Sequence, residues 1–259
     1  MQKFAANLTM LFNELDFLDR FKAAADAGFE AVEFLFPYDY SVDELKTRLT
    51  DNNLQLVLHN LPAGDWAQGE RGIACHPDRV AEFRDGVGQA INYATALNCK
   101  QINCLAGIIP EGVSNEQAEQ TFVDNLKFAA EALADQNIRL LIEPINYYDI
   151  PGFFLNYTRY ANRIIDRVGS DNLFIQYDIY HAQRMEGELA KTIADNLHRI
   201  SHIQLADNPG RHEPGTGEIN YGWLFKELTR LGYQGWIGCE YKPKGKTMEG
   251  LNWREDLNG

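Results

Sequence analysis

Eight short strand-like runs, largely apolar, recur along the chain, each bounded by polar or glycine-containing stretches, with segments of helical period between them. That alternation is what a parallel α/β architecture requires, because each parallel strand needs a crossover before the next. The runs are KFAANL from Lys3, AVEFLF from Ala31, LQLVLHN from Leu54, KQINCLAG from Lys100, RLLIEPIN from Arg139, LFIQYDIY from Leu173, RISHIQLAD from Arg199 and GWIGCEYK from Gly235. The segment DFLDRFKAAADAG from Asp16 puts Phe17, Phe21, Ala24 and Ala25 on one helical stripe, with Gly28 placed to close its C-terminus. Ser41 with Glu44 and Ser114 with Gln117 have capping-box spacing, which sets helix starts after the second and fourth runs. Helices are further expected from Asp78, Asn156, Glu188 and Tyr221.

A doubly wound open sheet would give the same beat. Closure into a single (β/α)8 TIM barrel over residues 1–259 is the favoured reading, since eight strands that close leave no edge, and such a barrel needs about 250 residues. Two connections, Leu61 to Pro77 and Asn208 to Asn220, are longer than the architecture needs and read as lids or binding loops.

The formal net charge of −13 argues against nucleic acid as a partner, which would call for clustered Lys and Arg. Four cysteines (Cys75, Cys99, Cys104, Cys239) form no C-x-x-C pair and no zinc spacing, so buried free thiols are expected. The N-terminal stretch lacks a long apolar core and no uncharged run approaches a membrane span. A cytoplasmic location without membrane contact is the resulting expectation. The helix faces leave the oligomeric state open, a homo-oligomer included.

Acidic or amide side chains stand at the C-terminal ends of the last four runs: Glu143 in LLIEP, Asp178 in IQYDIYH, Gln204 in HIQLAD and Glu240 in IGCEYK. In a barrel these ends meet at one mouth, the face that carries function. Three converging carboxylates repel one another unless protonated or bridged by a cation, and oxygen donors suit Mg²⁺ or Mn²⁺ better than zinc. Taken singly, each carboxylate would more often cap a helix or pair with an arginine; four in register favour a shared role.

The sequence resembles the hydroxypyruvate isomerases, a branch of the xylose-isomerase-like barrels that includes 2-oxo-tetronate isomerases. The resemblance spans nearly the whole chain and rests on FPYDY at Phe36, LHNLPAGDWAQGERGIAC at Leu58, LIEPIN at Leu141, IQYDIYHAQRMEGEL at Ile175, HIQLADNPGRHEPGTGEINY at His202 and GCEYKP at Gly238. It implies that Glu143, Asp178, Gln204 and Glu240 hold a divalent metal and that Glu143 and Glu240 double as the acid/base pair. Many relatives in the wider superfamily carry histidine at the third ligand position; Gln204 departs from that pattern in the manner of this branch and speaks against a histidine-rich nuclease site.

The implied reaction moves a proton between adjacent carbons of a short hydroxy-oxo acid, either three-carbon hydroxypyruvate or a four-carbon 2-oxo-tetronate, through an enediolate. His59 and His181 are candidate substrate contacts at the mouth; Arg71 and Arg211, on the two long loops, are candidates for the substrate carboxylate. Trp66 is placed to exclude water or to pin its loop. For each of these a plain structural role, such as a buried satisfied histidine or a solvated arginine, is the competing reading. Rival functions are a ketose 3-epimerase, a metal-binding barrel without turnover and, least favoured, an endonuclease-like phosphodiesterase.

Overall fold

Eight parallel strands close into a barrel in sequence order: β1 (Lys3–Asn7), β2 (Ala31–Glu33), β3 (Gln55–Asn60), β4 (Gln101–Cys104), β5 (Arg139–Ile142), β6 (Leu173–Asp178), β7 (Ile200–Leu205) and β8 (Trp236–Cys239). The ring is completed by β1 on β8, with Phe4 opposite Ile237 and Ala6 opposite Cys239. The structure, a computed structural model, describes residues 2–257; Met1, Asn258 and Gly259, the extremes of the expected 1–259 domain, lie outside them. Among the described residues no helix is long and apolar enough to cross a membrane.

Helices α1 (Arg20–Asp26), α2 (Val42–Asp51), α3 (Val80–Ala96), α4 (Asn115–Ala134) and α5 (Thr158–Val168) each follow one strand. The sixth crossover is split into α6 (Ile179–Met185) and α7 (Leu189–Asn196), and α8 (Tyr221–Leu231) and α9 (Trp253–Leu257) follow β7 and β8. Both expected capping boxes form: Ser41 Oγ accepts from Glu44 N at 3.3 Å and Ser114 Oγ from Gln117 N at 3.2 Å, with the reciprocal bonds present. Gly28 takes a left-handed φ of 77° just beyond α1, as a helix stop requires.

Several runs extend past their strands, and the start of α1 and the end of β6 differ from the sequence reading. Helix α1 starts later than Asp16, behind a 3-10 turn over Phe17–Asp19, and of its stripe Phe21 and Ala24 are buried while Phe17 and Ala25 are partly so. The sixth strand does not run on to Tyr180 but stops at Asp178, whose carboxylate accepts from Tyr180 N at 2.8 Å and His181 N at 3.4 Å. That N-cap starts α6, a helix the periodicity of so short an apolar segment does not reveal.

The main hydrophobic core fills the layer between strands and helices, while a small second cluster of Ala5, Ala31, Val57, Leu58 and Leu141 forms separately. Ala5, Ala31 and Leu141 lie two residues before Asn7, Glu33 and Glu143, hence on the same face of their strands. Apolar side chains thus plug the barrel below, and a polar layer sits above them at the C-terminal ends. All four cysteines are buried and free, and burial pushes the Cys75 and Cys99 thiols up to about 12.

Candidate active site

Every strand delivers a polar residue to one end of the barrel: Asn7, Glu33, Asn60, Asn103, Glu143, Asp178, Gln204 and Glu240, all buried and all at, or one residue from, a strand's C-terminal end. With the exceptions of Asn103 and Asp178 they line one small cavity of about 80 Å³, together with Gln176, His181, Arg211 and an apolar rim that includes Met10, Trp66, Ile145 and Ile150. Asn103 and Asp178 sit directly behind its wall, in contact with Glu143 and His181.

The four acidic and amide residues expected at strand ends converge here. Glu143 Oε2 accepts from Asn103 Nδ2 at 2.9 Å. Glu240 Oε1 accepts from Arg211 Nη2 at 2.9 Å, and its Oε2 accepts from Gln204 Nε2 at 2.5 Å and Asn7 Nδ2 at 3.2 Å. Burial raises all three carboxylates: Glu143 well above its ordinary range, with Glu240 and Asp178 adding like-charge repulsion, Asp178 to about 6 and Glu240 to about 8. Arg211 opposes the rise in each case. Buried carboxylates pushed upward together mark a place where charge is wanted, by a cation or by proton transfer.

Glu143, Asp178 and His181 each offer one ligand atom, and these atoms lie within 4.8 Å of one another. Asp178 Oδ2 is buried without a hydrogen-bond partner, an arrangement costly for a carboxylate unless something else coordinates it. An unsatisfied anionic oxygen beside further oxygen donors fits a hard divalent cation. Arg211 Nη2 comes to 3.8 Å of the same oxygen and 3.5 Å of His181 Nε2, so its guanidinium is the local positive charge.

His181 is neutral in this setting: burial, then Arg211 and Arg184, hold it well below its ordinary value. Its tautomer follows from Asn146, whose Oδ1 accepts from Asp149 N at 2.9 Å, leaving Nδ2 to donate to His181 Nδ1 at 2.6 Å. The proton therefore sits on Nε2, which faces Asp178 at 3.6 Å and Glu143 at 3.8 Å. In that tautomer His181 is a hydrogen-bond donor to the mouth.

The remaining candidates are placed elsewhere. His59 is fully buried but does not line the cavity: its Nδ1 meets Asn60 O at 3.1 Å and its ring packs edge-on against Tyr38 at 6.2 Å. Arg71 stays within its own loop, donating to Trp66 O at 3.0 Å and Glu70 O at 2.7 Å, with its guanidinium 4.2 Å from the Trp66 ring centroid. Trp66 reaches the cavity rim, pinned against Phe36 at 5.1 Å. Arg71 thus clasps the first lid loop, and Arg211 alone of the two arginines enters the ring.

Burial lowers His59 to about 4. The unfolded chain takes up that proton near pH 6.5 and the folded one does not, so the stability this neutral histidine contributes is present above pH 6.5 and is lost as pH falls toward 4. Between pH 7 and pH 5 the difference amounts to about 2 kcal/mol, and His59→Phe should flatten the acid limb of a urea-unfolding series by that amount. Identical slopes for the two proteins would assign the acid sensitivity to other groups.

Asp207, two residues beyond β7, was not among the expected site residues, yet it organises the second long loop. Its two oxygens accept from four backbone N–H groups: Asn208 at 2.9 Å, Gly215 at 2.9 Å, Gly217 at 2.9 Å and Ile219 at 3.1 Å. A Cβ at Gly217 would meet Asn208 O at 2.1 Å, so only glycine lets this loop fold onto the carboxylate. Because Arg211 rides on this loop, Asp207 places the guanidinium. Asp207→Ala is expected to lower stability by about 2–4 kcal/mol, read by urea unfolding, and to open residues 208–220 to limited proteolysis. A loss below about 1 kcal/mol with an uncut loop would mean that the loop's other bonds suffice.

The comparisons with known proteins agree with this geometry. The family model of the xylose isomerase-like TIM barrel matches residues 21–257. Hydroxypyruvate isomerase of Escherichia coli (strain K12) is 60% identical over 255 residues, covering 98% of this chain and 99% of that one. The 2-oxo-tetronate isomerase of Cupriavidus necator is 49% identical over 259 residues and covers both chains fully. Among solved structures, the one described as an AP endonuclease, family 2, from Brucella melitensis superposes with a TM-score of 0.97 at 46% identity over the full length of both chains. An L-ribulose 3-epimerase at 22% identity, with a TM-score of 0.76 over 99% of this chain and 87% of its own, shares the fold. With its closed barrel, its ring of buried strand-end carboxylates and identities of this size over its whole length, the chain belongs to the hydroxypyruvate isomerase and 2-oxo-tetronate isomerase family of the xylose isomerase-like TIM barrels.

Proposed function

We propose that this chain, an isomerase of the hydroxypyruvate isomerase type, interconverts hydroxypyruvate and 2-hydroxy-3-oxopropanoate by moving a proton between adjacent carbons, with Glu143 and Glu240 as the acid/base pair. The observation that carries the reading is the buried ring in which both glutamates, raised by burial, face one cavity while Asp178 Oδ2 has no hydrogen-bond partner among the described residues. The relative with the same activity in its name is 60% identical. The four-carbon 2-oxo-tetronate is the second substrate, favoured by the 49% identical relative.

Glu143, Asp178, Gln204 and Glu240 would hold a divalent ion, Mg²⁺ or Mn²⁺, which when bound supplies Lewis acidity to the substrate's oxygens. His181, whose Nδ1 accepts from Asn146 Nδ2, donates from Nε2 to a substrate oxygen. Arg211 binds the substrate carboxylate and meets the charge that grows on an enediolate. One of the two glutamates, ionised, takes the carbon-bound proton and the other, protonated, returns one; burial raises the proton affinity of both. Trp66 and the apolar rim keep water from the reacting carbons. The cytoplasm, where the four free thiols persist, is the compartment of this reading.

The test is turnover of metal-stripped protein, with Mg²⁺ or Mn²⁺ restored, on hydroxypyruvate and on 2-oxo-tetronate side by side. Metal-dependent turnover, with deuterium from the migrating position appearing in solvent, is the expected result. Turnover of neither acid by protein that binds the ion would sink the substrate assignment, and retention of all deuterium would replace proton transfer by hydride shift.

A further inference from the structure

We propose that Glu33, on the far side of the catalytic ring, is a positioning residue that sets the orientation of Glu240 through two amide bridges. Glu33 ends β2 and is completely buried. Its carboxylate lies against the backbone of β8: a Cβ on Gly238 would come within 2.3 Å of both its oxygens. Gly238 thus leaves room for Glu33 two residues before Glu240.

Asn7 and Gln204 stand on β1 and β7, the two neighbours of β8 in the barrel. Each uses its amide nitrogen in the same way. Asn7 Nδ2 donates to Glu33 Oε1 at 2.9 Å and to Glu240 Oε2 at 3.2 Å. Gln204 Nε2 donates to Glu33 Oε1 at 2.7 Å and to Glu240 Oε2 at 2.5 Å. An amide nitrogen has two hydrogens, so both amides are fully committed, and Glu33 and Glu240 together dictate which way each points. Gln204 is left with its carbonyl turned to Gln176 Nε2 at 2.6 Å, the atom that could serve a cation, while Glu240 keeps Oε1 for Arg211.

The far side of Glu33 fixes its own role as acceptor. Ser201 Oγ donates to Gln101 Oε1 at 2.9 Å, which turns Gln101 Nε2 toward His202 Nδ1 at 3.2 Å. With Nδ1 accepting, the His202 proton is on Nε2, 2.6 Å from Glu33 Oε2. Directed bonds therefore run from Ser201 on the flank of β7 through Gln101, His202 and Glu33 to the two amides and to Glu240. A carboxylate that receives three donors is well satisfied where it is, so its part in the reaction is to hold its neighbours' geometry.

The kinetic arm of the test rests on the proposed reaction; the spectroscopic arm does not. Selectively ¹⁵N-labelled, metal-free protein should show the Asn7 and Gln204 side-chain NH₂ signals protected from solvent exchange, assigned by their loss in Asn7→Ala and Gln204→Met. In Glu33→Gln those signals should shift and exchange faster. With metal restored, kcat should fall about 100-fold, the size expected when a reacting group is displaced, and KM should stay within about twofold. Unchanged signals and unchanged kcat would overturn the proposal, as would loss of kcat that tracks the folded fraction. Should Glu33→Gln fail to fold, Asn7→Ala cuts one bridge and leaves the Glu33–His202 contact in place. A shifted Gln204 signal with lowered kcat there supports the bridge, and an unmoved signal with full kcat rejects it. If the wild type turns over neither acid, the reaction assignment falls, and the NMR result still decides whether Glu33 holds the amides.

Discussion

Replacing Glu143 by glutamine is expected to lower kcat on hydroxypyruvate by a factor of about 10²–10⁴, the range for loss of a positioned acid or base, while leaving the fold at least as stable as before. The two halves of this expectation have one cause. Burial, with Glu240 and Asp178 nearby, makes the ionised form of Glu143 unfavourable in the metal-free barrel. Glutamine removes that charge, keeps the shape, and still offers an oxygen to Asn103 Nδ2, which now donates to Glu143 Oε2 at 2.9 Å. Steady-state kinetics with metal and urea unfolding without it would be measured on the same preparation. A residue retained for stability would behave oppositely, so activity within about threefold of wild type, or a loss of stability matching the loss of kcat, would remove Glu143 from the acid/base pair.

The largest effect on stability is expected at Arg211. Burial works to lower its pKa, but Glu240, Asp178, Glu143 and Asp149 together raise it, so the guanidinium stays charged at the centre of an acidic ring. It donates to Glu240 Oε1 at 2.9 Å and its guanidinium carbon lies 5.1 Å from the centroid of the Tyr180 ring. Arg211→Leu leaves these carboxylates without a cation, and removing one partner of a buried pair costs about 3–5 kcal/mol. Arg211→Lys keeps the charge and should recover most of that stability, but a single ammonium cannot reproduce the forked contact proposed for the substrate carboxylate, so its KM should rise about tenfold or more. Equal stabilities for the leucine variant and the wild type would mean that the ring carboxylates are protonated and need no counterion.

Much of the architecture was legible because two periods alternate along the chain, and the register of acidic residues pointed to the mouth. The same register rule, carried to the first four strands, would have added Asn7, Glu33, Asn60 and Asn103; amides look unremarkable in a sequence, and their role appears only when Asn7 and Asn103 are seen donating to Glu240 and Glu143. His59 shows the limit of reading a strand end: neighbouring side chains on a strand point to opposite faces, so Asn60 lines the cavity while His59 packs against Tyr38. Arg71 and Arg211 were alike as loop arginines, and what separates them is loop conformation. The carboxylate of Asp207 draws the second loop inward, whereas Arg71 is held by carbonyls of its own loop. Long-range contacts of this kind leave no local pattern.

A loop-borne arginine within the acidic ring also bears on the order of events during biosynthesis. Because Arg211 already balances part of that charge, the nascent barrel has no need to wait for an ion before it closes. An ion bound at the proposed site would then meet a finished pocket instead of a loose chain. In a loose chain the intrinsically tightest binder among the divalent ions would win, copper and zinc ahead of manganese and magnesium, whereas a finished pocket of oxygen donors sorts ions by shape and hardness. If the ring holds a divalent ion as proposed, the arginine would leave the choice of that ion to the folded pocket and not to the loose chain.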